Sequence, residues 1–124
     1  MSKVLLVEDD TDMSEVFCDF LEMSGHKVHT AFNGKEGLAL FQQDSFDIIV
    51  TDIIMPELDG LEMIKAILAI KPDTAIITLS GGHRLVPEVA TQYLDASIKL
   101  GAARSFCKPF KMTDLLTAID ELCS

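Results

Sequence analysis

The chain has 124 residues, the length of one domain at roughly 100–200 residues each, which excludes a second catalytic or DNA-binding module within it. Hydrophobic residues make up 48% and charged residues 24%, a globular balance that excludes wholesale disorder. Twenty acidic against ten basic residues leave a net charge of −10, which opposes unaided binding to nucleic acid or to an anionic membrane surface.

Apolar, β-rich runs at Lys3 to Val7, Val28 to Phe32, Phe46 to Thr51, Thr74 to Leu79 and Arg104 to Cys107 alternate with helical patterns, the signature of repeated βα units. After the first run, Met13, Val16, Phe17, Phe20 and Leu21 recur at helical spacing, with Asp10 or Thr11 as cap and Gly25 as stop. The second helix opens on the capping pattern Asn33-Gly34-Lys35-Glu36 and buries Leu38 and Phe41. The third follows Asp59-Gly60, uses Leu61, Ile64 and Leu68, and closes before Pro72. Val86, Val89, Ala90, Tyr93, Leu94 and Ile98 form a fourth stripe ending at Gly101, and Met112, Leu115, Ile119 and Leu122 a fifth. The runs Val4 to Val7 and Ile48 to Val50 are apolar without alternation, as central parallel strands covered on both faces require. The expected architecture is α/β, a five-stranded doubly wound parallel sheet in three layers.

The longest apolar run, Ala66 to Ile70, is far short of the ~20 residues of a membrane span, and the chain start turns acidic too early for a signal peptide, so a cytoplasmic location is expected. Cys18, Cys107 and Cys123 lack C-x-x-C spacing and read as reduced packing residues.

Ligands of open α/β sheets sit beyond the carboxyl ends of the strands. Those ends carry Glu8-Asp9, Asp52, Ser80 and Lys108-Pro109, all polar at their first positions. Adjacent first and third strands bring Glu8, Asp9 and Asp52 together. Two carboxylates about 4 Å apart repel by ~4 kcal/mol at an effective dielectric of ~20, so three of them call for proton uptake or a cation. Mg²⁺ is the simpler remedy, since it takes all-oxygen ligands and keeps several waters.

With Val7-Glu8-Asp9, Asp52-Ile53-Ile54-Met55-Pro56, Asp59-Gly60, Ser80, Gly101-Ala102 and Lys108-Pro109-Phe110 in place, the chain resembles the receiver domains of two-component response regulators from Val4 to Leu122. The resemblance implies a single receiver domain over 1–124, like the free-standing chemotaxis regulators, with the flavodoxin-like strand order 2-1-3-4-5. It makes Asp52 the phosphoacceptor, supplied by a sensor histidine kinase or a histidine phosphotransfer protein. Asp9, Asp52 and the main-chain carbonyl of Ile54 would hold Mg²⁺, with Glu8 acting through a bound water. Lys108 and Ser80 would contact the phosphoryl group, and Lys108-Pro109 would be cis. The chain is then a switch that assists its own phosphorylation and dephosphorylation, signalling through altered partner binding, with no direct nucleic-acid contact and no membrane insertion.

The sequence departs from the family in three ways. The residue three before the lysine, where the family carries its switch aromatic, is Ser105, and Phe106 faces the opposite side of the strand. The response to phosphate therefore runs through another side chain near the fourth helix or takes a different form. Ser80 to Lys108 is a long spacing, with the extra residues expected in a mobile Gly81 to Pro87 segment that holds His83 and Arg84. Ile54, apolar two residues after Asp52, predicts slow self-dephosphorylation. Two alternatives stay within the family: a phosphorelay intermediate, or the receiver of a longer transcriptional regulator. A third lies outside it, a serine hydrolase using Ser80 with His83. That reading lacks the glycine two residues before the serine that a nucleophile elbow needs, where this chain has Thr78.

Overall fold

The structure, a computed structural model, describes residues 2–53, 60–81 and 87–123. Five strands, β1 (Lys3–Val7), β2 (Lys27–Ala31), β3 (Ile48–Asp52), β4 (Ala75–Gly81) and β5 (Arg104–Lys108), alternate with five helices, α1 (Thr11–Met23), α2 (Gly34–Gln43), α3 (Gly60–Ile70), α4 (Pro87–Leu100) and α5 (Met112–Cys123). All strand pairs are parallel and the order is β2-β1-β3-β4-β5, the expected doubly wound sheet.

The period of two along the strands divides the core into two layers. Leu5, Val7, Ile49 and Ile76 pack beneath Phe41, Met63, Ile64 and Ile67 of α2 and α3. Val4, Leu6, Ile48, Val50, Ile77 and Leu79 pack against Phe17, Leu21, Leu115 and Ile119 of α1 and α5. Val4 to Val7 and Ile48 to Val50 are fully buried, and each such side chain contributes ~1.5–3 kcal/mol, so the two central strands anchor everything at their ends.

Asp10 caps α1, accepting from the backbone N–H groups of Asp12 and Met13, and Asn33 caps α2 through Glu36 N–H at 2.7 Å. Gly25 and Gly101 follow α1 and α4 with φ of 96° and 124°, in the left-handed region open to glycine. Gly60 is needed for another reason. A Cβ there would stand 2.5 Å from Ile53 Cα and 2.7 Å from the Asp52 carbonyl oxygen, so α3 starts directly against the end of β3.

Several packing expectations are corrected. Val16, placed on the buried stripe of α1, is 55% exposed, because the α1 surface turned to the sheet is narrower and runs through Ser14, Phe17 and Leu21. Ile98 likewise faces outward, and Ser97 takes the buried place beside it. Met63 and Ile67 share the buried face of α3 with Ile64, whereas Leu61 and Leu68 lie at its margin. Cys107 is exposed on β5 and is no packing residue; Cys18 and Cys123 are half-buried, and all three are free. The segment from Gly81 to Pro87 is not all loop, since Gly81 ends β4 and Pro87 begins α4, a 14-residue helix that takes up much of the Ser80 to Lys108 spacing. The remainder of that segment, with His83 and Arg84, lies outside the described residues, as does Ile54.

Candidate functional site

The strand ends deliver four of the expected side chains to one place. Glu8 follows β1 and is tied to β2 by its N–H, which donates to the Ala31 carbonyl at 3.0 Å. Asp52 ends β3, where the Ile53 N–H donates to the Leu79 carbonyl of β4 and the Gly60 N–H to the Ile53 carbonyl at 2.7 Å. The backbone carrying Asp52 is thus held from both sides. Carboxylate oxygens of Glu8, Asp9 and Asp52 lie within 4.8 Å of one another. Lys108, the last residue of β5, places Nζ 3.0 Å from Asp52 Oδ2 and 3.1 Å from Glu8 Oε2, and its bond to Pro109 is cis.

Three clustered carboxylates and one ammonium, which pairs with Glu8 and Asp52, leave an excess of two negative charges in a buried place. Burial, reinforced by the Asp52 carboxylate, pushes the Glu8 carboxyl from 4.5 up to about 7, against the opposing pull of Lys108. Burial alone would lower the Lys108 pKa, but Asp52 and Glu8 outweigh it and raise it above the ordinary lysine value. A hard divalent cation fits this donor set: all ligands are oxygens, and two positive charges cancel the excess.

Ser80 is fully buried on β4, and its Oγ has no hydrogen-bond partner among the described residues. A buried hydroxyl in that condition costs ~1–3 kcal/mol, a cost relieved once an acceptor enters the pocket. The burial of Ser80 weighs against a serine hydrolase, whose nucleophile must be accessible; His83, the base of that reading, lies outside the described residues. Ser105 stands beside Thr78 in the β4–β5 register and is exposed. Phe106 points to the opposite layer, its ring 5.3 Å from that of Phe110, which stacks on Phe17 at 6.0 Å.

One feature of this region escapes the sequence. Thr78 and Ser97, both fully buried, join their hydroxyls 2.8 Å apart between β4 and α4. Ser97 sits on an otherwise apolar helical stripe, and nothing in its neighbours announces a polar partner on a strand 19 residues earlier.

The model of the response regulator receiver domain family matches residues 4–120. The chain belongs to this family. It is 32% identical to the response regulator receiver protein CpdR of Brucella abortus over 98% of this chain and 97% of that one. It is 34% identical to the response regulator SaeR of Staphylococcus aureus, over 98% of this chain and 50% of SaeR. A response regulator receiver domain protein from Clostridium thermocellum superposes with a TM-score of 0.89 at 30% identity, covering 99% of this chain and 94% of that one. TrrA of Thermotoga maritima, solved with Mg²⁺ and BeF, gives a TM-score of 0.84 at 29% identity over 98% and 99% of the two chains. Receiver domains are phosphorylation-activated switches of two-component systems, supplied with phosphoryl groups by histidine kinases. No helix among the described residues is long and apolar enough to cross a membrane.

Proposed function

We propose that Asp52 takes the phosphoryl group, with Glu8, Asp9 and Asp52 holding Mg²⁺ and Lys108 and Ser80 receiving the phosphoryl oxygens. The donor is the phosphohistidine of a sensor kinase or a histidine phosphotransfer protein. Its N–P bond breaks as an Asp52 Oδ–P bond forms, and the imidazole leaves. A bound Mg²⁺ would supply charge neutralisation for the transferred group.

The chain's own residues do the rest. Lys108 already lies 3.0 Å from Asp52, so its charge is in place where phosphoryl oxygens will arrive, with little reorganisation. Ser80 carries a hydroxyl with no competing partner among the described residues, ready to donate to an incoming oxygen. The observation that carries this reading is the convergence of Glu8, Asp9, Asp52 and Lys108 from three strand ends.

The match to CpdR over 97% of its length favours a receiver that acts by itself; its output would then be altered binding of a target protein in the cytoplasm. The half coverage of SaeR favours the second reading, a receiver within a longer regulator.

The test is incubation with a small acyl-phosphate donor, with and without Mg²⁺, beside Asp52→Asn. The expected result is a mass gain of one phosphoryl group in the parent with Mg²⁺ alone. An equal gain in Asp52→Asn would overturn the assignment.

A further inference from the structure

Ser105 leaves the usual aromatic position on the face of β5 towards α4 without a ring, and its partner in the sheet register is the buried Thr78, whose hydroxyl meets that of the buried Ser97 on α4. Thr78 lies two residues before Ser80 on β4, so the two side chains share a face of the strand. Thr78 Oγ1 is 2.8 Å from Ser97 Oγ and 3.4 Å from the Arg104 carbonyl of β5, and Ser97 Oγ is 2.7 Å from the Leu94 carbonyl.

Two hydroxyls hold two protons, which admits two complete arrangements. In one, Thr78 donates to Ser97 and Ser97 to the Leu94 carbonyl, so the chain of bonds runs into α4. In the other, Ser97 donates to Thr78 and Thr78 to the Arg104 carbonyl, so it runs into β5. The short 2.7 Å bond and the long 3.4 Å one place this structure in the first. Ser97 is also a backbone junction, because its carbonyl accepts the N–H groups of Gly101 and Ala102 at 3.2 and 3.0 Å, the turn that leads into β5.

We infer that the Thr78–Ser97 hydroxyl pair is the link through which displacement of Ser80 reaches α4 and β5. This rests on Ser80 binding the phosphoryl group of Asp52, as proposed above. When Ser80 is drawn toward that group, the end of β4 moves with it and Thr78 shifts against Ser97. The pair then exchanges donors, loosening the bond into α4 and tightening the one into β5. Thr78 and Ser97 are positioning residues, buried away from the phosphoryl group.

The experiment compares the parent with Thr78→Val, Ser97→Ala and Thr78→Ser. Each is phosphorylated with an acyl phosphate and Mg²⁺, its mass gain is measured, and the amide shifts of Ile98, Gly101 and Arg104 are recorded before and after. All four proteins should gain one phosphoryl group. The phosphorylation-induced shifts should fall about threefold or more in Thr78→Val and Ser97→Ala and return in Thr78→Ser, which keeps the hydroxyl. A purely structural role would lower the unfolding midpoint and leave those shifts as in the parent, which overturns the inference. Unmoved amides in a phosphorylated parent overturn it as well. Absence of mass gain in the parent defeats instead the assignment of Asp52. If one valine or alanine variant does not fold, the other decides alone, since each removes a different end of the bond.

Discussion

Glu8 is where the physics of the pocket is most exposed to measurement. With its carboxyl near 7 in the metal-free fold against 4.5 when unperturbed, the native state binds a proton that the unfolded chain releases. Metal-free stability is therefore fullest below about pH 4.5 as far as this group is concerned, and declines as pH rises through 7. Mg²⁺ must displace that proton below pH 7 but not above it. Calorimetric titrations at pH 6 and pH 8 should give tighter Mg²⁺ binding at pH 8, and Glu8→Gln should flatten the difference; equal affinities in the parent would contradict the argument. Lys108 is the counterpart. Replacing it by Met strips two buried carboxylates of their ammonium, and denaturant unfolding in chelator should show a loss of about 3 kcal/mol, at the low end for a broken buried pair because Glu8 can take up a proton. Glu8, Asp9 and Asp52 were legible in the sequence because they stand where buried, largely apolar strands end in acidic residues, and Lys108 because it closes the last strand just before Pro109 in the pattern of the family. The exposed side of Val16 and Ile98 was not, since helical spacing gives the width of an apolar stripe but not where the neighbouring helix stops covering it.

Among the elements, α3 begins directly against the end of β3. Gly60 lets the first turn of α3 rest on the backbone of Asp52 and Ile53, and that contact sets where the Asp52 carboxylate stands. In Gly60→Ala the new methyl meets backbone atoms at 2.5 to 2.9 Å, which must move. The expected cost is about 1–3 kcal/mol by denaturant unfolding, together with slower phosphorylation of Asp52 under a fixed acyl-phosphate concentration. A variant as stable and as fast as the parent would show that the site tolerates a shifted α3. The strands and helices themselves were readable from periodicity, and the caps at Asp10 and Asn33 from residue type. The Thr78–Ser97 bond was not readable, because it pairs residues from a strand and a helix whose mutual rotation only tertiary packing fixes.

At the scale of the molecule, the parallel order β2-β1-β3-β4-β5 gathers the carboxyl ends of β1, β3, β4 and β5 around one pocket, while two apolar layers hold the sheet rigid behind it. A ligand that ties several of those ends together stabilises the whole domain. With Mg²⁺ and beryllofluoride at about 100 times their dissociation constant, stability should rise by about 2.7 kcal/mol and Tm by roughly 10 °C. Asp52→Asn should show no such rise in a thermal melt. Strand order was legible only through the family resemblance, since no local pattern states which strand lies beside which.

In the proposed transfer a single carboxylate, that of Asp52, takes the phosphoryl group. Borohydride reduction of the freshly phosphorylated protein converts an acyl phosphate to an alcohol, and peptide mass spectrometry then locates it. Homoserine is expected at position 52 alone; a reduced side chain at Glu8 or Asp9, or none on a protein that has gained the phosphoryl mass, would overturn the assignment of Asp52.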